Sequence, residues 1–227
     1  FISAHFNQLS EVIEYHFNGT RYGIHITEEG FIYAGEGIAQ LTWMDARIGD
    51  FVVTPRQGCP VEINALWYNS LKIYQEFGKL LNKEVSEKVN QICSSFPKKF
   101  SDYFYNEKGY LNDVIIPNKL VDESIRPNQI YALSLPFSIL NVKQSNAVLK
   151  NVEDYLYTPL GLRTLNKEDS QFQSTYQGDI WKRDTAYHQG TVWPFLMGEY
   201  WAAKMKLSKD KALIKNEFEQ KLSTLKD

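Results

Sequence analysis

The chain has 227 residues, 43% of them hydrophobic and 23% charged, which is typical of a soluble globular protein with a sizeable core. The formal net charge of −2 gives no electrostatic reason to expect nucleic acid or an anionic membrane as a partner, and no apolar run is long enough for a membrane-spanning helix. Cys59 and Cys93 have no metal-ligand spacing and are predicted to be reduced, partly buried thiols.

Apolar residues recur at the spacing of a helix in seven segments. In chain order these are residues 9–17, 60–81, 85–104, 127–135, 145–157, 191–205 and 213–225. A short hairpin is predicted between Tyr22 and Tyr33, and an extended segment over 110–116. Residues 34–60 and 158–189 show little periodicity and predict long, functional loops. Helices joined by such loops predict an all-α fold, an α/α toroid whose loops form the active face.

The first loop carries carboxylates among aromatic and basic residues. Asp45 follows Trp43 and Met44, so we expect its carboxyl group to be partly desolvated, which favours a protonated acid. Cleavage of a glycosidic bond needs such a group to donate a proton to the leaving oxygen. The alternative is that Asp45 pairs with Arg47 or caps a turn.

Two further clusters of polar and aromatic residues precede helical segments. Residues 183–194 include His188, Gln189 and Trp193, a set able to clamp sugar hydroxyl groups against an aromatic wall. Residues 122–129 include Arg126 and Asn128, which could orient a hydroxyl or a carboxylate; equally, Asp122 or Ser124 could simply cap the helix. The sequence has no phosphate-binding loop, nucleophile triad or metal-ligand spacing, so we expect neither a metal nor another cofactor.

Three motifs in order make the sequence familiar: AGEGIAQLTWMDARIGDFVVTPRQGCPVEINALWYNSLK (34–72), DESIRPNQIYALSLPF (122–137) and DTAYHQGTVWPFLMGEY (184–200). They resemble the prokaryotic-type glycogen debranching family, in its amylo-α-1,6-glucosidase domain. The resemblance implies an (α/α)6 barrel of the glucoamylase-like type and a cytoplasmic enzyme. It implies inverting hydrolysis of α-1,6-linked glucose at branch points, with glycogen or a branched α-glucan as the partner.

By this resemblance Asp45 is the general acid. Further residues fall in the motifs that are expected to line the glucose subsite. These are Trp43, Arg47, Arg56, Glu62, Trp67, Arg126, Gln129, His188, Gln189 and Trp193.

One departure from the family concerns the general base. The family places it in a motif like Ser-Glu-Ile-Phe-Asp-Gly, after the last helices, and this sequence has no such motif. Residues 1–227 are therefore predicted to be the C-terminal portion of a single (α/α)6 catalytic domain that lacks its first helices and its last segment. Glu62 or Glu199 are the candidates to replace the base; Glu62 is the better one, because a helix start favours its ionised form.

Two other interpretations remain open from the sequence. A related (α/α)6 glycosidase would act on a different α-glucoside. A fragment without its base would bind carbohydrate and turn over little. The sequence does not specify an oligomeric state.

Overall fold

The computed structural model describes residues 1–223, and helices form about half of this part of the chain. Two single 3-10 turns lie at Arg21–Gly23 and Pro127–Ile130. The predicted end of the last helix at Leu225 lies outside the described residues. The helices are α1 (Ile2–Asn18), α2 (Val61–Leu81), α3 (Glu87–Phe104), α4 (Tyr131–Ser134), α5 (Val142–Tyr155), α6 (Ile180–Ala186), α7 (Met197–Leu207) and α8 (Lys211–Ser223).

Within residues 1–223, ten short strands pair antiparallel into four small sheets, whose strand orders are β1-β2, β3-β4, β5-β6-β7 and β10-β9-β8. The strands are β1 (His25–Ile26), β2 (Ile32–Tyr33), β3 (Arg47–Ile48), β4 (Phe51–Val52), β5 (Cys59–Pro60), β6 (Val114–Ile116), β7 (Leu120–Asp122), β8 (Tyr157–Thr158), β9 (Gly161–Arg163) and β10 (Val192–Trp193).

The prediction of an all-α fold, an (α/α)6 barrel, is wrong: the fold combines helices with small antiparallel sheets. The strands are two or three residues long, and such short strands show no recognisable period of two. The β3-β4 hairpin lies inside the predicted loop at 34–60, where Gly49 adopts φ 58° in the turn. The predicted helix at 191–205 is also wrong at its start, because Val192–Trp193 forms β10 and α7 begins at Met197.

Helix α2 is the centre of the core. It packs against α1, α3 and α4. From α3, the fully buried rings of Phe96, Phe100 and Phe104 form a continuous stack in this core. Each such ring contributes about 1.5–3 kcal/mol of burial free energy. Helix α3 is continuous through Pro97.

The C-terminal helices form a second layer around α7, which packs against α4, α5 and α8. The Tyr200 hydroxyl of α7 donates to Glu153 of α5 at 2.9 Å, and burial, followed by the nearby Glu153 carboxylate, raises the pKa of Tyr200. Lys204 of α7 pairs with Glu217 of α8 at 2.9 Å. These contacts fix the helix that follows β10.

Cys59 and Cys93 are free, buried thiols, as predicted. Burial raises the pKa of Cys59 to about 12 and that of Cys93 to about 11, so neither thiol is a reactive nucleophile near neutral pH. In the part of the chain that the structure describes, no helix is both long and apolar enough to cross a membrane.

Candidate active site

The pairing of β5 with β6 builds the centre of the candidate site. Its register places Pro60 opposite Val114, and the Val61 N–H donates to the Asp113 carbonyl at 2.9 Å. Arg56 precedes β5, and Glu62 lies in the first turn of α2. The pairing thus brings Asp113 to Arg56 and Glu62, although 57 residues separate Arg56 from Asp113 in sequence.

Asp113 links two buried arginines. Arg56 donates from Nε to Asp113 Oδ2 at 2.8 Å and from Nη2 to Asp113 Oδ1 at 3.1 Å. Its two Nη atoms also donate to the two carboxylate oxygens of Glu62, in a bidentate pair. Arg126 Nε lies 3.7 Å from Asp113 Oδ2. Asn128 Nδ2 donates to Asp113 Oδ1 at 2.7 Å. The Asp113 carboxylate therefore interacts with three side chains, those of Arg56, Arg126 and Asn128.

The 3-10 turn at Pro127–Ile130 presents Arg126 and Asn128. Pro127 occupies the first position of the turn and Arg126 precedes it in extended backbone, an arrangement that proline favours. Arg126 donates from Nη1 to the carbonyls of Thr164 and His188, at 3.1 and 2.8 Å, and from Nη2 to Gln189 Oε1 at 2.7 Å. Arg126 therefore ties the third motif of the sequence to the second.

Gln189 completes the same set. Its Nε2 donates to the Val53 carbonyl at 3.2 Å, just beyond the β3-β4 hairpin. Gly190 follows with φ 143°, and a Cβ atom there would lie 2.3 Å from the Gln173 carbonyl oxygen, so only glycine fits. We call this set the arginine network; it consists of Arg56, Glu62, Asp113, Arg126, Asn128 and Gln189.

The two buried arginines differ in how far nearby carboxylates compensate their positive charges. Burial alone lowers the pKa of Arg56, but the carboxylates of Asp113 and Glu62 outweigh it and raise that pKa. Burial lowers the pKa of Arg126, and Asp113 offsets this only in part. Arg56 is thus the fully compensated cation and Arg126 the less compensated one.

Aromatic side chains lie next to this network. Trp43 Nε1 donates to Asn128 Oδ1 at 2.7 Å, and the Trp43 ring meets Phe195 edge to face at 4.9 Å. Tyr187 meets Trp193 in the same manner at 4.8 Å. These four rings are half-buried or exposed, and we call them the aromatic rim: Trp43, Tyr187, Trp193 and Phe195.

His188 lies beneath the rim, against the rings of Trp43 and Tyr187. Burial, and then the positive charges of Arg126 and Arg56, lower its pKa to about 4. Among the described residues, its Nδ1 has no hydrogen-bond partner. His188 is therefore a neutral imidazole near neutral pH, with one ring nitrogen unsatisfied.

Asp45 lies between the network and solvent. The preceding Met44 side chain is fully buried, with its sulfur 3.5 Å from Asn128 Nδ2, and the Ala46 carbonyl accepts from the Val53 N–H at 3.1 Å. Asp45 itself is exposed, so the partial desolvation predicted from its neighbours is not observed. Within residues 1–223, Asp45 forms neither an ion pair nor a side-chain hydrogen bond, and the predicted alternative pairing with Arg47 is not observed.

Not every predicted site residue joins this region. Trp67 is buried in the core, where its ring contacts His16 and Phe17 and its Nε1 donates to the Gly30 carbonyl at 3.2 Å. Trp67 thus supports α1 and β2. Arg47 is exposed on the β3-β4 hairpin.

Of the remaining predicted residues, Gln129 and Glu62 are buried and Glu199 is half-buried. Gln129 accepts from the Leu111 N–H at 3.1 Å and donates to the Arg126 carbonyl at 3.0 Å, and so braces the 3-10 turn. Glu62 is only 2% exposed and both its oxygens are bound to Arg56, which does not fit a base that activates water. Glu199 is half-buried in the first turn of α7.

Two residues of the site, Asp113 and Phe195, were not predicted from the sequence. Asp113 lies in a short extended segment, and its role depends on pairing with a distant strand. Phe195 belongs to the rim, and its only signal was its position within an aromatic-rich motif; Tyr187 lay in the predicted cluster at 183–194. Among residues 1–223, no group of three or more His, Cys, Asp or Glu side chains is placed to hold a metal ion.

Comparison with known proteins identifies the family. The family described as amylo-alpha-1,6-glucosidase matches residues 1–227, the whole chain. The glycogen debranching enzyme of Saccharomyces cerevisiae is 25% identical over 225 residues, an alignment that covers 80% of this chain and 15% of that protein. The chain thus spans only a small part of the length of this curated relative. On the match over its full length, this chain belongs to the amylo-alpha-1,6-glucosidase family.

Proposed function

We propose that this chain carries the acid half of a glycosidase site that cleaves α-1,6-linked glucose from the branch points of a glycogen-type α-glucan. The observation that carries the proposal is the setting of Asp45. Its carboxylate is exposed and unpaired among the described residues, while the residues on either side of it are held by the arginine network and the β3-β4 hairpin. A free acid on a rigid support suits proton donation.

The aromatic rim supports a sugar substrate. Half-buried aromatic faces stack on the apolar faces of sugar rings, and their polar edges are already satisfied by protein partners: Trp43 by Asn128 and Trp193 by the Tyr187 carbonyl at 3.0 Å. A glucose unit on this rim would exclude water from Asp45, and exclusion of water favours the protonated acid. Bound substrate would thereby desolvate the exposed Asp45 carboxyl group.

The predicted site residues other than Trp67 then have roles in this proposal. Asp45 donates its proton to the glycosidic oxygen as the bond to the anomeric carbon breaks. Trp43 and Trp193 form the wall of the glucose subsite, and Arg47 offers exposed hydrogen-bond donors to hydroxyl groups. The buried residues act as positioning residues beneath them; these are Arg56, Glu62, Arg126, Gln129, His188 and Gln189.

An inverting reaction also needs a carboxylate about 6.5–9.5 Å from the acid, with water between the two. Glu62 is committed to Arg56. We therefore propose that a carboxylate other than Glu62 supplies the general base. This proposal keeps the inverting chemistry that the sequence motifs imply.

The proposal is tested with the complete gene product and a branched limit dextrin, by measuring released glucose for the wild type, Asp45→Asn and a matched control, Asp50→Asn. Asp50 is an exposed carboxylate five residues away in the turn of the same hairpin. We expect Asp45→Asn to lose about 10²–10⁴-fold in rate, the usual contribution of a general acid, and Asp50→Asn to stay near the wild type.

Other outcomes would contradict the proposal. Cleavage of an α-1,4-linked disaccharide but not of limit dextrin would identify a glycosidase of different specificity. Binding of maltooligosaccharide by the complete gene product without any hydrolysis would identify a carbohydrate-binding protein. Equal rates for the two variants would remove Asp45 from the mechanism.

A further inference from the structure

A second pair of aromatic side chains lies apart from the aromatic rim. Phe51 of β4 and Trp181 of α6 stack with their ring centroids 5.2 Å apart and an interplanar angle of 25°. Each keeps half of its surface in solvent: Phe51 is 50% exposed and Trp181 is 51% exposed. We call this pair the outer platform.

The outer platform is connected by short, rigid segments to the candidate site. Phe51 begins the second strand of the hairpin whose first strand directly follows Asp45 and Ala46. Helix α6 packs against β3 and ends one residue before Tyr187 of the aromatic rim. Six residues separate Trp181 from Tyr187, roughly 9 Å along a helix axis. The platform is therefore close along the chain to both Tyr187 of the rim and Asp45.

The platform is also fixed in place. Asp179 caps α6 by accepting the Lys182 N–H at 2.9 Å, and the Thr185 hydroxyl donates to the Trp181 carbonyl at 2.8 Å. The turn of the hairpin is set by Gly49 at φ 58°. Two large rings on supports of this kind lose little conformational freedom when a ligand binds.

The stacking of Phe51 on Trp181 covers only one face of each ring. Exposed apolar surface of this size is unfavourable in water, and two adjacent exposed aromatic rings beside a site indicate a binding function. The occupant must be flat and apolar on one face and polar at its edges, because the residues next to the two rings in sequence, Asp50 and Lys182, are exposed and polar. A pyranose ring has this character.

We propose that the outer platform binds the α-1,4-linked main chain of the glucan beside the branch at which Asp45 acts. The inference rests on the proposed function for the position of the cleaved bond. It adds a site that selects the substrate: a branch on a long main chain would contact both the rim and the platform, whereas a small α-1,6-glucoside would contact the rim alone. Phe51 and Trp181 are thus specificity residues that bind substrate without touching the reacting atoms.

The test compares two substrates in the complete gene product: a branched maltooligosaccharide with a long main chain, and isomaltose. Trp181→Ala and Phe51→Ala are expected to lower kcat/KM about tenfold on the branched substrate, equal to about 1.4 kcal/mol, mainly through KM, and to leave isomaltose unchanged. Trp181→Phe is expected to retain most of the activity. Tyr15→Ala is the matched control, because Tyr15 is a 65% exposed aromatic residue on the distant helix α1.

The results separate this inference from the proposed function. An equal loss on both substrates, or no loss on either, would overturn the platform, since a structural contact would not distinguish them. If the wild type hydrolyses neither substrate, the proposed function fails, and titration with maltoheptaose decides the platform alone. If Trp181→Ala binds maltoheptaose more weakly than Tyr15→Ala does, the titration supports the platform. Equal affinities of the two variants would overturn it. Phe51→Ala gives the same readout if Trp181→Ala does not fold.

Discussion

The arginine network and the residues above it differ in how completely their polar groups are paired. In the network, the Asp113 carboxylate and both arginines are buried and held by several protein partners. Above it, Asp45 and Arg47 are exposed, and the aromatic rim and the outer platform leave ring faces in solvent. We propose that the difference separates two tasks: the network supports the folding of the site, and the exposed residues bind and act on the substrate. Substitutions can test this separation.

The largest effect on stability is expected for Asp113→Ala. The substitution leaves Arg56 and Arg126 buried with less compensating charge, and removing one partner of a buried ion pair costs about 3–5 kcal/mol. Urea unfolding measures the loss, with Asp50→Ala as an exposed control expected to stay within about 0.5 kcal/mol. Similar midpoints for the two variants would mean that the network does not support the fold.

A smaller effect on stability is expected from the protonation of His188 as the pH is lowered. Its folded pKa is lowered to about 4, below the unfolded value of about 6.5, so the unfolded chain binds the proton first. The contribution of His188 to the free energy of unfolding is therefore fully present above about pH 6.5. It is lost as the pH falls toward 4, by at most about 1.4 kcal/mol per pH unit. His188→Gln should flatten this part of the curve of unfolding free energy against pH, and His5→Gln, an exposed control, should not. An unchanged slope in His188→Gln would show that His188 takes up its proton normally in the folded protein.

The smallest effect on stability is expected at the boundary between the two regions. Trp43→Phe keeps an aromatic ring but removes the hydrogen bond to Asn128, and the free energy of unfolding should fall by about 1–2 kcal/mol. Because the rim is also proposed to bind sugar, KM for the branched substrate should rise as well. A change in stability with no change in KM would place Trp43 in the network alone.

The sequence predicted the long helices because their apolar residues repeat over many turns. The stripes at 60–81 and 85–104 correspond to α2 and α3. It also grouped polar residues into motifs, and the structure joins two of these motifs through Arg126 and Gln189. These features depend on residues that are close in sequence, where spacing alone is informative.

Other features depend on distant pairing and could not be read from spacing. Asp113 gains its importance only because β6 pairs with β5, and the two-residue strands of the hairpins are too short to show alternation. The exposure of Asp45 was also missed, because Met44 turns into the protein while Asp45 turns out. Trp67 shared a motif with the site, yet the helix it occupies directs it into the core.

The central claim is that Asp45 is a proton donor, and one comparison tests it most directly. Protonation of the leaving group matters for a glycosidic oxygen but not for fluoride, so Asp45→Asn should lose about 10²–10⁴-fold in kcat/KM on the branched glucan and stay close to the wild type on α-glucosyl fluoride. The complete gene product is used for both substrates. An equal loss on both would contradict the claim, because it would give Asp45 a task other than protonating the leaving oxygen.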